Sequence, residues 1–153
     1  MASTYINENS RERERLRRLV NDITDKELTL IIYQEGWTIA SMLAHLAFWD
    51  HFRLQLVRKW QQQGVSPTVI DDDLLNDTLL SFFLELTPRK AANMAVAMAE
   101  KIDDELEHLS PDMTNAIMSL GERHALNRSI HRKMHLDEIE ILLKTNREKK
   151  KSK

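Results

Sequence analysis

Two histidines near the C-terminus have the spacing of metal ligands. His131 and His135 are four residues apart, and on an α-helix this spacing places both imidazoles on one face, about one turn apart. Two such imidazoles can share a divalent ion at about 2.0–2.1 Å per bond. No glutamate follows the first histidine, so the pair differs from the HExxH arrangement of zinc proteases and implies no built-in general base. Two histidines hydrogen-bonded in a partly exposed groove would show the same spacing, and the periodicity does not choose between these interpretations.

A third histidine, His45, lies in an apolar stretch between Leu43 and Trp49. A buried imidazole without a polar partner costs free energy, so we expect His45 to face such a partner. With His131 and His135 it makes three neutral imidazoles, the ligand number of a catalytic zinc-type site that keeps one position for water or substrate. These three residues are the predicted ligands of a divalent metal ion.

Two carboxylates could orient a metal-bound imidazole through its second nitrogen. Glu138 lies about one turn beyond His135 and is the candidate catalytic residue, acting beside a ligand rather than as one. Asp50 is interpreted as a solvated carboxylate on a helix face. His51 is interpreted as a surface residue, and His124 as an ordinary residue near a helix start.

Several other kinds of chemistry are poorly supported. The chain has no cysteine, which excludes disulfides, thiolate metal sites and a cysteine nucleophile. Three glycines, far apart, cannot build a phosphate-binding loop or a nucleophile elbow. A di-iron bundle needs two Glu-x-x-His motifs and two further glutamates, whereas Glu105-x-x-His108 stands alone. The methionines and tryptophans are interpreted as core packing.

The elements that must position these residues are helices. Apolar residues recur at helical spacing along most of the chain, and only three glycines and three prolines are present, too few for a fold with many β-turns. Capping residues predict starts at Thr38, Thr87-Pro88 and Ser110-Pro111. The first predicted helix begins after Ser10, a short turn follows at 25–32, and the next helix runs from Thr38 to about Gln63. Asp71-Asp72-Asp73 predicts an acidic helix start before 74–86. Further helices are predicted from Pro88, from Pro111, and after Gly121 to about Thr145. Four long helices with shorter ones between them predict an all-α four-helix bundle.

Charge and length predict one domain over 1–146 and a basic disordered tail over 147–153. The tail holds five basic residues and one acid, so the rest of the chain is acidic and nucleic-acid binding is disfavoured. No apolar run approaches the length of a membrane span, and residues 1–5 do not resemble a signal peptide. We therefore expect a cytoplasmic protein with neither a nucleic-acid nor a membrane partner.

Two segments resemble a known family. Residues 36–50, GWTIASMLAHLAFWD, resemble the second-helix signature of the DinB/YfiT-like superfamily, where Trp-Thr or Trp-Ser opens the helix and a histidine follows eight residues after the tryptophan. Residues 131–139, HRKMHLDEI, resemble the family's His-x-x-x-His on its last helix. The resemblance implies an up-down-down-up four-helix bundle, with a three-histidine site for a divalent ion, usually zinc or nickel, mapping to His45, His131 and His135.

The same resemblance implies a range of activities. Relatives include mycothiol-dependent maleylpyruvate isomerases, transferases that use bacillithiol or similar thiols, and hydrolases of reactive small molecules; many are dimers. The prediction is therefore a metal-dependent enzyme acting on a small molecule, by thiol transfer or hydrolysis, with a low-molecular-weight thiol as a possible cofactor and a homodimer as the expected assembly. The alternative is a non-catalytic dimeric helical-bundle protein for binding or stress response, with a vestigial metal site.

Overall fold

Helices form almost all the regular structure of the chain. The computed structural model describes residues 2–153, with side chains described from Thr4 onward. Outside the helices, this part of the chain contains one isolated antiparallel bridge, between Ile31 and Thr38. In chain order the helices are α1 (Ala2–Asp22), a short 3-10 helix (Glu27–Thr29), α2 (Ile39–Gln63), α3 (Asp72–Phe83), α4 (Pro88–Glu107), α5 (Pro111–Leu120), α6 (Arg123–Leu126) and α7 (Ser129–Lys151). The predicted all-α class is confirmed.

The four longest helices carry most of the packing. α2 packs most extensively against α4, and α1 packs against both α4 and α7. One apolar cluster joins the N-terminal half of α2 to α1, α4 and α7, and a second joins the C-terminal half of α2 to α4, α5 and α6. Every residue from Ile39 to Ala47 is buried, so α2 is the central helix.

The starts of the helices follow from their capping residues. At the start of α2 the Thr38 hydroxyl accepts from the Ser41 backbone N–H at 3.0 Å, and the Ser41 hydroxyl accepts from the Thr38 N–H at 2.8 Å. This reciprocal pair satisfies two backbone donors that a helix start leaves without partners. The Ser110 hydroxyl caps α5 by accepting from the Met113 N–H at 3.2 Å. The predicted starts at these positions are confirmed.

One predicted boundary in the N-terminal half of the chain was wrong. α1 begins at Ala2, not after Ser10, because residues 2–10 include no proline or glycine and Ser10 is an interior polar position. The acidic start predicted at Asp71-Asp72-Asp73 is confirmed: α3 begins at Asp72, and the Asp71 side chain caps it by accepting from the Leu74 N–H at 3.0 Å. α3 ends at Phe83, three residues before the predicted end at Leu86.

The C-terminal segment also differs from the expectation. α7 continues to Lys151, whereas a helix end near Thr145 and a disordered tail over 147–153 were predicted. Arg147 is held by an ion pair with Glu27 at 2.7 Å and another with Asp22 at 3.0 Å. These ion pairs hold the basic C-terminal end of α7 against the end of α1 and the turn that follows it. The number of basic residues in this segment does not by itself predict such contacts.

None of the described helices is both long enough and apolar enough to cross a membrane.

Candidate metal centre

The structure brings the three predicted histidines together. His45 lies in the second turn of α2, and His131 and His135 lie near the start of α7. One ligand atom from each ring lies within 4.8 Å of the others, and the ring centroids are 4.8–5.0 Å apart. The Nε2 atoms of His45 and His131 face each other at 2.9 Å. Two helices that are distant in sequence thus form one imidazole cluster.

Burial keeps the three imidazoles in the neutral form. It lowers the pKa of His45 to about 3, with a further contribution from His135, and lowers that of His135 to about 4. The pKa of His131 is also far below its ordinary range, because of burial and the charge of Arg128. A neutral imidazole offers a free lone pair, which is the form that binds metals. All three side chains are therefore ready to act as ligands near neutral pH.

The hydrogen-bonding state of the cluster fits a divalent ion. The Nδ1 atoms of His45 and His135 are buried and have no hydrogen-bond partner among the described residues, which is uncommon for polar atoms inside proteins. Imidazole nitrogens suit zinc, copper, iron and nickel. Three imidazoles converge here, and two of them carry an unpartnered Nδ1 atom. This is the arrangement expected of a binding site for one of these ions.

Glu138 lies beside the cluster. Its Oε2 atom is 3.8 Å from Nδ1 of His135, close enough for charge interaction but too far for a hydrogen bond. The Tyr33 hydroxyl donates a hydrogen bond to the same oxygen. Burial raises the pKa of Glu138. Tyr33 was not predicted, because it lies in the turn before α2 and no helical spacing relates it to α7.

Asp50 was interpreted wrongly as a solvated residue. It is 1% exposed and accepts from Arg128 Nε at 2.8 Å and from Arg132 Nη2 at 3.2 Å. Arg132 is fully buried and also forms an ion pair with Asp103 at 2.8 Å. Asp103 forms a second ion pair, with Arg13, at 2.8 Å. This buried ion network ties α2, α4 and α1 to α7 and to the residue before it.

The remaining histidines lie outside the cluster. His51 is exposed, as predicted, and His108 is an exposed residue at the end of α4. His124 is exposed and contributes to the lining of the cavity described below. None of the three joins His45, His131 and His135.

A cavity of about 590 Å³ opens beside the imidazoles, between α2, α3 and α7. The ring of Trp37 packs edge-on against that of His45 at 5.7 Å. Trp49 donates its indole N–H to Asn76 at 2.9 Å, which ties α3 to α2. Trp37 and Trp49 had been interpreted as core packing, but both also line this cavity. The cluster is therefore reachable by a small molecule.

The described fold is all-helical, and three histidines converge from two of its helices. This arrangement is compatible with a metal-binding protein. The family model for the DinB superfamily matches residues 8–141, a span that includes all three histidines. The chain belongs to the DinB superfamily, and the resemblance seen in its sequence is confirmed. No curated protein matches the chain significantly, and neither does any solved structure.

Proposed function

We propose that the protein is a divalent-metal-dependent enzyme that acts on a small molecule, by thiol transfer or hydrolysis. The ligands are His45, His131 and His135, and the ion is zinc or nickel. The observation that carries the proposal is the convergence of three neutral, buried imidazoles on the wall of an open cavity. The proposal includes the up-down-down-up order of the four long helices and a cytoplasmic homodimer, as membership of the family suggests.

The bound ion would lower the pKa of a water or thiol, so that an anionic nucleophile is present near neutral pH. The chain's own residues prepare the place for it. The rings of Trp37 and Trp49 pack edge-on against the imidazole of His45, with centroids 5.7 Å and 6.5 Å away, and hold it in place. Glu138, held by Tyr33, places a carboxylate 3.8 Å from Nδ1 of His135, where its negative charge would favour the metal-bound form of this ring.

Metal analysis of untagged protein tests the ligand set. We expect about one equivalent of zinc or nickel in the wild type and almost none in His45→Ala or His131→Ala. His51→Ala is the matched control, because His51 lies on the same helix as His45 but is exposed. Full metal content in the two cluster variants, or none in wild type after loading, would contradict the proposed site.

The reaction is tested separately, with the loaded protein and the alanine variants. Transfer of a low-molecular-weight thiol to electrophilic substrates is measured beside hydrolysis of activated esters and amides. We expect one activity that disappears in His45→Ala and persists in His51→Ala. A metal-bound protein without an exchangeable water, inactive in both screens, would favour the alternative of a non-catalytic binding or stress protein with a vestigial site.

A further inference from the structure

The cavity beside the histidines has two chemically different ends. On α2, His45, Trp49 and Arg53 follow one another at intervals of four residues, so they share one face of the helix. A rise of 1.5 Å per residue places Arg53 about 12 Å along the helix axis from His45. Arg128, the residue immediately before α7, precedes His131 by three residues, and both line the same cavity. The imidazoles therefore occupy one end of the cavity and Arg53 lies toward the other, while the charge of Arg128 acts on both His45 and Arg53.

Arg53 is poorly satisfied by its surroundings. Its side chain is 14% exposed, and its Nε atom is buried without a hydrogen-bond partner. The nearest ion-pair contact, from Nη1 to Glu122 Oε2, is 3.7 Å long, beyond hydrogen-bond distance. Its guanidinium carbon lies 5.8 Å from the centroid of the Phe52 ring. A half-buried guanidinium whose Nε donor is buried and unused is costly unless something else pairs with it.

Arg128 adds positive charge to the same region. In the buried ion network, three guanidinium groups share the carboxylates of Asp50 and Asp103; the three are those of Arg13, Arg128 and Arg132. One positive charge is therefore not neutralised within the network. The charge of Arg128 also acts on His45 and His131, whose pKa values it lowers, so the excess lies close to the imidazole cluster.

We propose that the cavity binds an elongated, anionic small molecule whose carboxylate or phosphate group pairs with Arg53, assisted by the charge of Arg128. The planar fork of a guanidinium matches the oxygens of these groups and can hold them by two parallel hydrogen bonds. The remainder of the molecule lies along Trp49 and reaches the histidines about two helical turns away. This assignment of a substrate class rests on the proposed function for its catalytic meaning, but the anion site itself requires no metal.

Two carboxylates on α3 oppose such a ligand. Asp72 and Asp77 also line the cavity, and both are exposed, so water and salt weaken their effect on an anion. Asp72 nevertheless interacts with the charge of Arg53. Removing the charge of Asp72 should strengthen anion binding, whereas removing the charge of Arg53 should weaken it. The two variants therefore test the proposal in opposite directions.

The test is an NMR titration of ¹⁵N-labelled full-length protein from which metal has been removed by dialysis. The arginine Nε–Hε signals and the indole N–H signal of Trp49, which lines the cavity and is present in every variant, are followed while succinate or inorganic phosphate is added at constant ionic strength. The Arg53 signal is assigned by its absence from Arg53→Gln. We expect a saturable shift of this signal, binding about 10- to 100-fold weaker in Arg53→Gln, and tighter binding in Asp72→Asn. The tighter of the two probes identifies the anionic group as carboxylate or phosphate.

Arg58→Gln is the matched control, because Arg58 lies on the same helix with its side chain 49% exposed; its binding should equal that of wild type. An Arg53 signal that does not move, or moves without saturation, would overturn the proposal, as would equal binding by wild type and a folded Arg53→Gln. If Arg53→Gln fails to fold, Arg53→Lys assigns the Arg53 signal in its place, and that signal and the Asp72→Asn comparison still decide. If the protein binds the anion saturably but takes up no metal, the proposed function is refuted and the anion site stands. If it takes up metal but binds no anion, the anion site is refuted and the proposed function stands.

Discussion

The histidine cluster should make the stability of the metal-free protein strongly dependent on pH. In the unfolded chain each imidazole has a pKa of about 6.5, whereas burial lowers the pKa to about 3 for His45 and to about 4 for His135. Below pH 6.5 the unfolded chain therefore takes up protons that the folded chain does not. The stabilisation is fully present above pH 6.5 and is lost as the pH falls toward the folded values.

The loss of unfolding free energy at pH 5 depends mainly on the pKa of each imidazole in the unfolded chain. Both folded values lie well below 5, so each imidazole is neutral in the folded protein and nearly all charged in the unfolded chain. By proton linkage, each contributes a loss of about 2 kcal/mol between pH 7.5 and pH 5. His131, whose pKa is also lowered, behaves in the same way. Three such losses are comparable to the whole stability of many domains, about 5–15 kcal/mol.

Urea denaturation of metal-free protein at pH 7.5 and pH 5 measures this dependence, and His45→Gln isolates one imidazole. The fall in unfolding free energy between the two pH values should be about 2 kcal/mol smaller in His45→Gln than in wild type. Titration of carboxylates is common to both proteins and cancels in the comparison. His51→Gln is the control, because this exposed residue should leave the pH dependence unchanged. An equal fall in wild type and His45→Gln would show that His45 takes up its proton in the folded protein, and would refute the neutral cluster.

Three further predictions concern the surroundings of the cluster. Asp50→Asn should reduce the unfolding free energy by about 3–5 kcal/mol, because it leaves two buried guanidinium groups short of a counter-charge; Glu140→Gln, which breaks a largely exposed pair with Arg15, should cost less than about 1 kcal/mol. Urea denaturation compares the two, and similar small losses would contradict the importance of the network. Thr38→Ala should cost about 1 kcal/mol in the same assay through loss of the capping pair, and no change would show that the cap is dispensable. Glu138→Gln should weaken zinc affinity about tenfold without removing the site, as measured by competition with a chelating dye; unchanged affinity would show that this carboxylate does not act on His135.

The local features of the fold were largely predictable from sequence. The capping pair at Thr38 and the proline starts of α4 and α5 act within three or four residues, so the sequence pattern contains the whole interaction. The end of α7 was not predictable in this way. Arg147 is fixed by Asp22 and Glu27, which are more than 100 residues away, and only the packing of α7 on α1 brings them together.

In the site too, features set by nearby residues were predictable from sequence, whereas contacts between distant segments were not. His131 and His135 share a face of one helix by spacing alone, and the apolar neighbours of His45 indicate that it is buried. Asp50 has equally apolar neighbours on one side, yet its partners are Arg128 and Arg132 on another helix. A carboxylate in an amphipathic pattern looks the same whether it faces water or a guanidinium, so its burial could not be deduced.

The buried ion network and the histidine cluster depend on the same contact between α2 and α7. His45 meets His131 across this contact, and Asp50, five residues later on α2, meets Arg128 and Arg132, which flank that histidine in the sequence. Hydrophobic packing tolerates small rotations of one helix against another, whereas charge-assisted hydrogen bonds to a single carboxylate demand a particular geometry. Asp50 therefore fixes the rotation of α7 that directs His131 toward His45. The expense of burying these charges is consistent with a chain in which the positions of three imidazoles matter more than maximal stability.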